Sequence, residues 1–178
     1  MSQLIGTKDV FAIEYEFDET AVARNEHWLH GRMCFWIGGT QVGDFGGTAT
    51  LAVALALFPD LLADSGKRND EGLFRLPASA AVDRIFSALS IDSGQSNAQV
   101  SRDEAFYSRF RAVPAGFDIF DNWDVYLIED QAGGRLLFRK VGGPVGEATL
   151  PVGEFDRVVQ DFVNALQAET ATRRARKG

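Results

Sequence analysis

Apolar and polar residues alternate through positions 10–17 (VFAIEYEF), with Phe11, Ile13, Tyr15 and Phe17 on one side and Ala12, Glu14 and Glu16 on the other. Successive side chains of extended backbone point to opposite faces, so this period of two predicts a strand with one covered face. Asp18 and Glu19 carry the acidic row into a loop. Alternation resumes at 28–37 (WLHGRMCFWI), where Leu29, Met33, Phe35 and Ile37 share one face and Trp28, His30, Arg32, Cys34 and Trp36 the other. Apolar residues on both faces predict a strand covered on both sides and paired antiparallel with the first. Gly38 and Gly39 then read as a turn, 41–44 as a short third strand, and Gly43 with Asp44 as a further turn in which the carboxylate bonds nearby backbone donors.

From Thr48 the period lengthens. Leu51, Ala54, Leu55, Phe58, Leu61 and Leu62 follow the spacing of a helix with one apolar stripe. Thr48 is the expected N-cap, and Pro59 is expected to kink the helix or end it near Phe58. Positions 64–72 read as a polar loop. A second helix over about 79–89 would bury Val82, Ile85, Phe86 and Leu89, with Pro77 just ahead of it. Positions 90–98 read as loop, and Ser101 with Glu104 forms the S-x-x-E capping box of a short helix bearing Phe106 and Phe110, ended by Pro114. The clearest hairpin joins 123–130 to 135–141 through a tight turn at 131–134. A further strand is expected at 147–150. The best helix covers 154–168, with Phe155, Val158, Val159, Phe162, Val163 and Leu166 as its stripe. The expectation is an α+β fold, a mostly antiparallel sheet built from N-terminal and C-terminal strands with helices packed on it. It forms a single domain over 1–170, followed by a basic, fraying tail at 171–178.

Composition narrows the function. With 46% hydrophobic residues, 14 Phe and 3 Trp, the chain carries ample material for a packed core. It contains no run long and apolar enough for a membrane span, and Asp9 and Glu14 interrupt any signal-like stretch, so the expected location is the cytosol. The single cysteine, Cys34, excludes an internal disulfide and reads as a small buried hydrophobe. Net charge is −7, and the last four charges, Arg173, Arg174, Arg176 and Lys177, are basic. Positions 1–172 therefore hold the remaining 14 of 18 basic side chains against all 25 acidic ones, a formal −11. Nucleic-acid binding is disfavoured, since phosphate contacts need a basic face. A basic protein partner is the electrostatic match, set against the plainer reading of charge for solubility.

No arrangement of reactive residues emerges. His27 falls on the opposite strand face from His30 and Cys34, and a fourth ligand is missing, so no metal site is expected. Cys34 sits between Met33 and Phe35 rather than in an electropositive, accessible place. The glycine-rich run 38–47 (GGTQVGDFGG) matches neither phosphate-loop pattern. Two acidic groups stand out: Glu14, Glu16 and Asp18 on one strand face, and Asp118, Asp121, Asp124, Glu129 and Asp130 within 112–134, a stretch without a basic residue. Each is either a negative field for docking a positive surface or an ordinary solvated face. Trp28, Trp36, Phe120, Trp123 and Tyr126 are candidate interface anchors or core residues. The expected partner-binding set is Glu14, Glu16, Asp18, Asp118, Asp121, Asp124 and Trp123.

Five segments together carry a resemblance: FAIEYEF (11–17), WLHGRMCFWIGG (28–39), QVGD (41–44), WDVYLIED (123–130) and EATLPVGEFDRV (147–158). They resemble immunity protein family 42 over most of the chain, with the least correspondence over about 64–115. The resemblance implies a small α+β protein encoded beside a bacterial polymorphic toxin, which binds that toxin and protects the producing cell. It implies no enzyme and no cofactor. The resulting expectation is neutralisation by stoichiometric occlusion. A cytosolic chaperone or adaptor for a secreted effector is the alternative, and a hydrolase using the acidic groups is a third.

Overall fold

A computed structural model describes residues 1–20, 29–90 and 94–175. Strands β1 (Gln3–Thr7), β2 (Phe11–Phe17), β3 (His30–Ile37) and β4 (Thr40–Val42) form an antiparallel sheet in chain order, and β5 (Ala49–Thr50) pairs with the start of β3. The register sets Phe11 opposite Ile37, Ile13 opposite Phe35 and Tyr15 opposite Met33. All six are buried, so the alternation marks the inner face correctly. The other face departs from the expected full cover. Ala12 and Cys34 are buried there, but Arg32 is exposed and His30 and Trp36 are only partly covered. β1 has no counterpart in the sequence reading, because QLIGT is short, weakly patterned and mostly exposed at the sheet edge.

Helix α1 (Leu51–Ala63) begins three residues after Thr48, since Ala49 and Thr50 are held in β5; the N-cap position falls to Thr50, whose side chain makes no cap bond. Pro59 lies inside the helix without ending it. An internal proline costs about 3 kcal/mol, whereas fully burying Phe58 and Leu61 returns about 1.5–3 kcal/mol each. Burial on both sides of the proline therefore decides the outcome. Helix α2 (Glu71–Phe74) starts within the expected loop, with the Asp70 carboxylate accepting from the Leu73 N–H at 2.8 Å. Helix α3 (Ala78–Leu89) buries Ala81, Val82 and Ile85, but Phe86, expected inside, is 45% exposed. Helix α4 (Asn97–Tyr107) is capped by Ser96 rather than Ser101, five residues upstream: the Ser96 hydroxyl accepts from the Gln99 N–H at 3.3 Å, while the Gln99 amide donates to Asp103 at 2.8 Å.

The C-terminal strands β6 (Trp123–Glu129), β7 (Gly134–Lys140) and β8 (Val145–Leu150) form a second antiparallel sheet of their own, rather than joining the first. Both faces of β6 are buried, which explains its near-continuous apolar run. Val125 and Leu127 enter the main core with Leu136 and Phe138, whereas Tyr126, Ile128 and Leu137 pack under α3 with Val82, Ile85 and Phe110. Helix α5 (Glu154–Ala175) runs past the expected end at 168, and its whole predicted stripe is buried against α1 and β2. The fold is α+β with antiparallel sheets, as read from the sequence.

The expected polar loop 64–72 hides a fully buried cation. The Arg68 guanidinium is 0% exposed, 3.0 Å from Asp156 on α5 and 3.6 Å from Glu129 on β6, donates to the Leu61 carbonyl, and lies over the Phe155 ring. The Arg68 carbonyl also accepts from the Glu129 N–H at 2.9 Å. One side chain thereby ties α1, α5 and the second sheet together.

Candidate partner-binding surface

The two sheets meet at the segment leading into β6. Ile119 and Phe120 are buried in a single 3-10 turn, and the Ile119 carbonyl accepts from the Asp44 N–H at 3.2 Å, hanging the turn after β4 on this segment. Gly38, Gly39 and Gly43 all have positive φ, and the Asp44 carboxylate accepts from the Gly46 N–H at 2.8 Å. At Gly43 the requirement is double: φ is +97°, and a Cβ would stand 2.9 Å from the Phe120 ring. Burial of Ile119 and Phe120 turns Asp118 and Asp121 outward, and Trp123 follows, partly covered, at the start of β6.

The predicted acidic residues divide by what they touch. Glu14 accepts from Lys8 at 2.7 Å and from the Trp36 indole at 2.8 Å, and the Lys8 hydrogen bond is the main cause holding its carboxyl below the usual range. Glu16 accepts from the N-terminal amine at 2.8 Å and pairs with Arg32 at 2.8 Å, which likewise lowers it. Asp18 accepts from the Thr20 N–H and hydroxyl. In the second group, Asp124 is gripped by Arg139, whose guanidinium also reaches Asp83. Glu129 belongs to the Arg68 cluster, where burial pushes its carboxyl upward against the pull of the arginine. Asp130 caps the hairpin turn by accepting from the Ala132 and Gly133 N–H groups. Asp118 and Asp121 are exposed and form no ion pair or side-chain hydrogen bond among the described residues.

Two hollows flank this acidic ridge. One, of about 260 Å³, lies between the end of α3 and segment 113–117, walled by Phe86, Leu89, Val113, Pro114, Phe117 and Trp123, with Asp121, Asp124 and Arg111 at its polar margin. The other, of about 570 Å³, is more polar and is bounded by Gln41, Gly43, Asp44, Asp118, Trp123 and Lys140. Trp123 lines both. The structure thus brings Asp118, Asp121, Asp124 and Trp123 together and leaves Glu14 and Glu16 on the first sheet, with Asp18 just past the end of β2. Among the other aromatic candidates, Phe120 and Tyr126 are core residues, Trp36 serves Glu14, and Trp28 lies outside the described residues.

Sequence reading missed Phe86 as a surface residue, because it fits the stripe of Val82, Ile85 and Leu89. The exposed end of α3 is visible only once β6 and β7 occupy the rest of that stripe. Chemistry at Cys34 is disfavoured: burial first, and the Glu14 charge second, push the thiol up to about 12, so it stays protonated at neutral pH. His27 lies outside the described residues, and among those residues no three His, Cys, Asp or Glu side chains converge on a metal-sized site.

The fold is similar to the crystal structure of CdiI from Burkholderia dolosa AUO158, with a TM-score of 0.69 and 22% sequence identity over 92% of this chain and 99% of that one. At this identity the likeness is one of fold. No curated protein sequence matches the chain. The family model for immunity protein 42 matches residues 1–165, which include every strand, both sheets and the acidic ridge, and on that match the chain belongs to the immunity protein 42 family.

Proposed function

We propose that this protein binds a cognate bacterial toxin and neutralises it by stoichiometric occlusion, acting in the cytosol of the producing cell as one unit over residues 1–170. The family match over residues 1–165 carries this reading. Three physical features support it: the acidic excess before the C-terminal arginines, a cysteine held as a thiol, and a ridge whose two outward carboxylates have no cation partner among the described residues. Occlusion demands affinity rather than turnover. A nanomolar complex corresponds to about −12 kcal/mol, drawn from an interface on the order of 1,600 Å² with a few buried anchors. Trp123 is the natural anchor of such an interface, with Asp118 and Asp121 at its rim. The carboxylates act chiefly on encounter, so association should slow as salt shortens the reach of charge.

Among the described residues no helix is long and apolar enough to cross a membrane. The test is co-expression with the toxin domain encoded beside the gene. Survival of the intoxicated cells together with recovery of a complex supports the proposal, and growth arrest with no complex refutes it. A chaperone would bind the toxin without restoring growth.

A further inference from the structure

We infer that the hollow between the end of α3 and segment 113–117 receives an arginine side chain of the toxin, with its methylene stem against Phe86 and Trp123 and its guanidinium at Asp121. This inference rests on the immunity reading and goes beyond it by naming the chemistry of the contact.

Size comes first. Small-molecule sites span roughly 300–1,000 Å³, so a hollow of about 260 Å³ suits one long side chain better than a whole metabolite. Apolar side chains form part of its wall, and Phe86 stands 45% exposed on a helix that buries Val82 and Ile85 and partly covers Leu89. Covering that ring removes apolar area from water, which favours an occupant with an aliphatic stem.

Charge sets the head group. Of the polar groups at the margin, Asp124 is already neutralised by Arg139, which holds it at 2.9 Å and reaches Asp83 on the other side. Arg111 stands 3.6 Å from Glu104. Asp121 is the carboxylate with no internal cation among the described residues, and it shares the hollow with an indole. A carboxylate beside an aromatic face selects arginine over lysine, because the planar guanidinium stacks on the ring while its N–H fork meets the carboxylate. Arg139 shows the same pattern within this protein, pairing with Asp124 while its guanidinium lies 5.4 Å from the Phe86 ring centre.

The test measures affinity for the purified toxin domain encoded beside the gene, by titration calorimetry, using wild type, D121N, F86A, A115R and the charge-matched control D60N. Ala115 is exposed at the hollow, and Asp60 is exposed on α1. Circular dichroism melts establish that each variant is folded; D121N, which changes an exposed side chain, keeps the test valid if A115R does not fold. D121N and F86A should each weaken binding at least fivefold, A115R at least thirtyfold and D60N less than twofold, magnitudes of the order seen at interface anchors. An arginine-to-alanine scan of the toxin should find one arginine whose loss is non-additive with D121N by about tenfold. If wild type binds but D121N and F86A lose less than fivefold, or no toxin arginine couples to Asp121, the inference is overturned while the immunity reading stands. If wild type does not bind, the immunity reading itself fails, and the inference with it.

Discussion

Replacing Arg68 by methionine keeps an unbranched stem in the core but removes the charge that Glu129 and Asp156 face. Both carboxylates are mostly covered, with side-chain exposures of 13% and 16%, so water restores little of what they lose. Breaking a buried ion pair from one side costs about 3–5 kcal/mol, against a total stability of about 5–15 kcal/mol for a domain. R68M should therefore remove about a fifth or more of the stability and shift the urea midpoint with little change in slope. The deficit should depend on pH. Burial already raises the Glu129 carboxyl, and loss of the guanidinium raises it further. A carboxyl raised in the folded state adds stability below its unfolded value of about 4.5, and that contribution disappears as pH climbs through the folded value. The R68M deficit should thus be largest at neutral pH and shrink toward pH 5, and the added substitution E129Q should recover about 1 kcal/mol. Urea unfolding followed by tryptophan fluorescence and circular dichroism checks both. A deficit under about 1 kcal/mol at neutral pH would refute the view that Arg68 is the tie between α1, α5 and the second sheet.

Gly43→Ala forces a side chain onto a backbone at φ +97° and into the Phe120 ring, so it should lower the thermal midpoint with a loss of about 1–3 kcal/mol. Cys34 should resist a thiol reagent at pH 8 in the native protein and react on unfolding; fast native labelling would contradict its burial. The Glu14 carboxyl is lowered in the folded state, so its contribution to stability is present above its ordinary value of 4.5 and fades as pH falls toward the lowered one. Glu14→Gln should therefore melt below wild type at pH 7 and converge with it in acid; equal melts at pH 7 would show that the Lys8 and Trp36 contacts are energetically idle.

The elements with strict periodicity were legible in the sequence: β2 and β3 by alternation, the β6–β7 hairpin by its turn, and α5 by its stripe. Other features depend on partners distant in the chain. β1 is an edge strand recognised through its pairing with β2, and nothing in QLIGT announces it. Arg68 stands among charged residues in a stretch that looks solvated, yet it is buried because Asp156, 88 positions away, and Glu129 converge on it. The acidic ridge was visible as a stretch without basic residues, but composition could not separate Asp124, neutralised by Arg139 across the hairpin, from Asp118 and Asp121. Composition could not show the partners of Glu14 and Glu16 either. Their cations come from the first residues of the chain and from the neighbouring strand.

The central claim is action by one-to-one occlusion, and the most direct measurement is the activity of the purified toxin domain titrated with this protein. Residual toxin activity should fall linearly and reach zero at one equivalent, with binding heat saturating at the same ratio. Silencing of the toxin at a small fraction of an equivalent, which requires turnover, or full toxin activity at excess, would contradict the account.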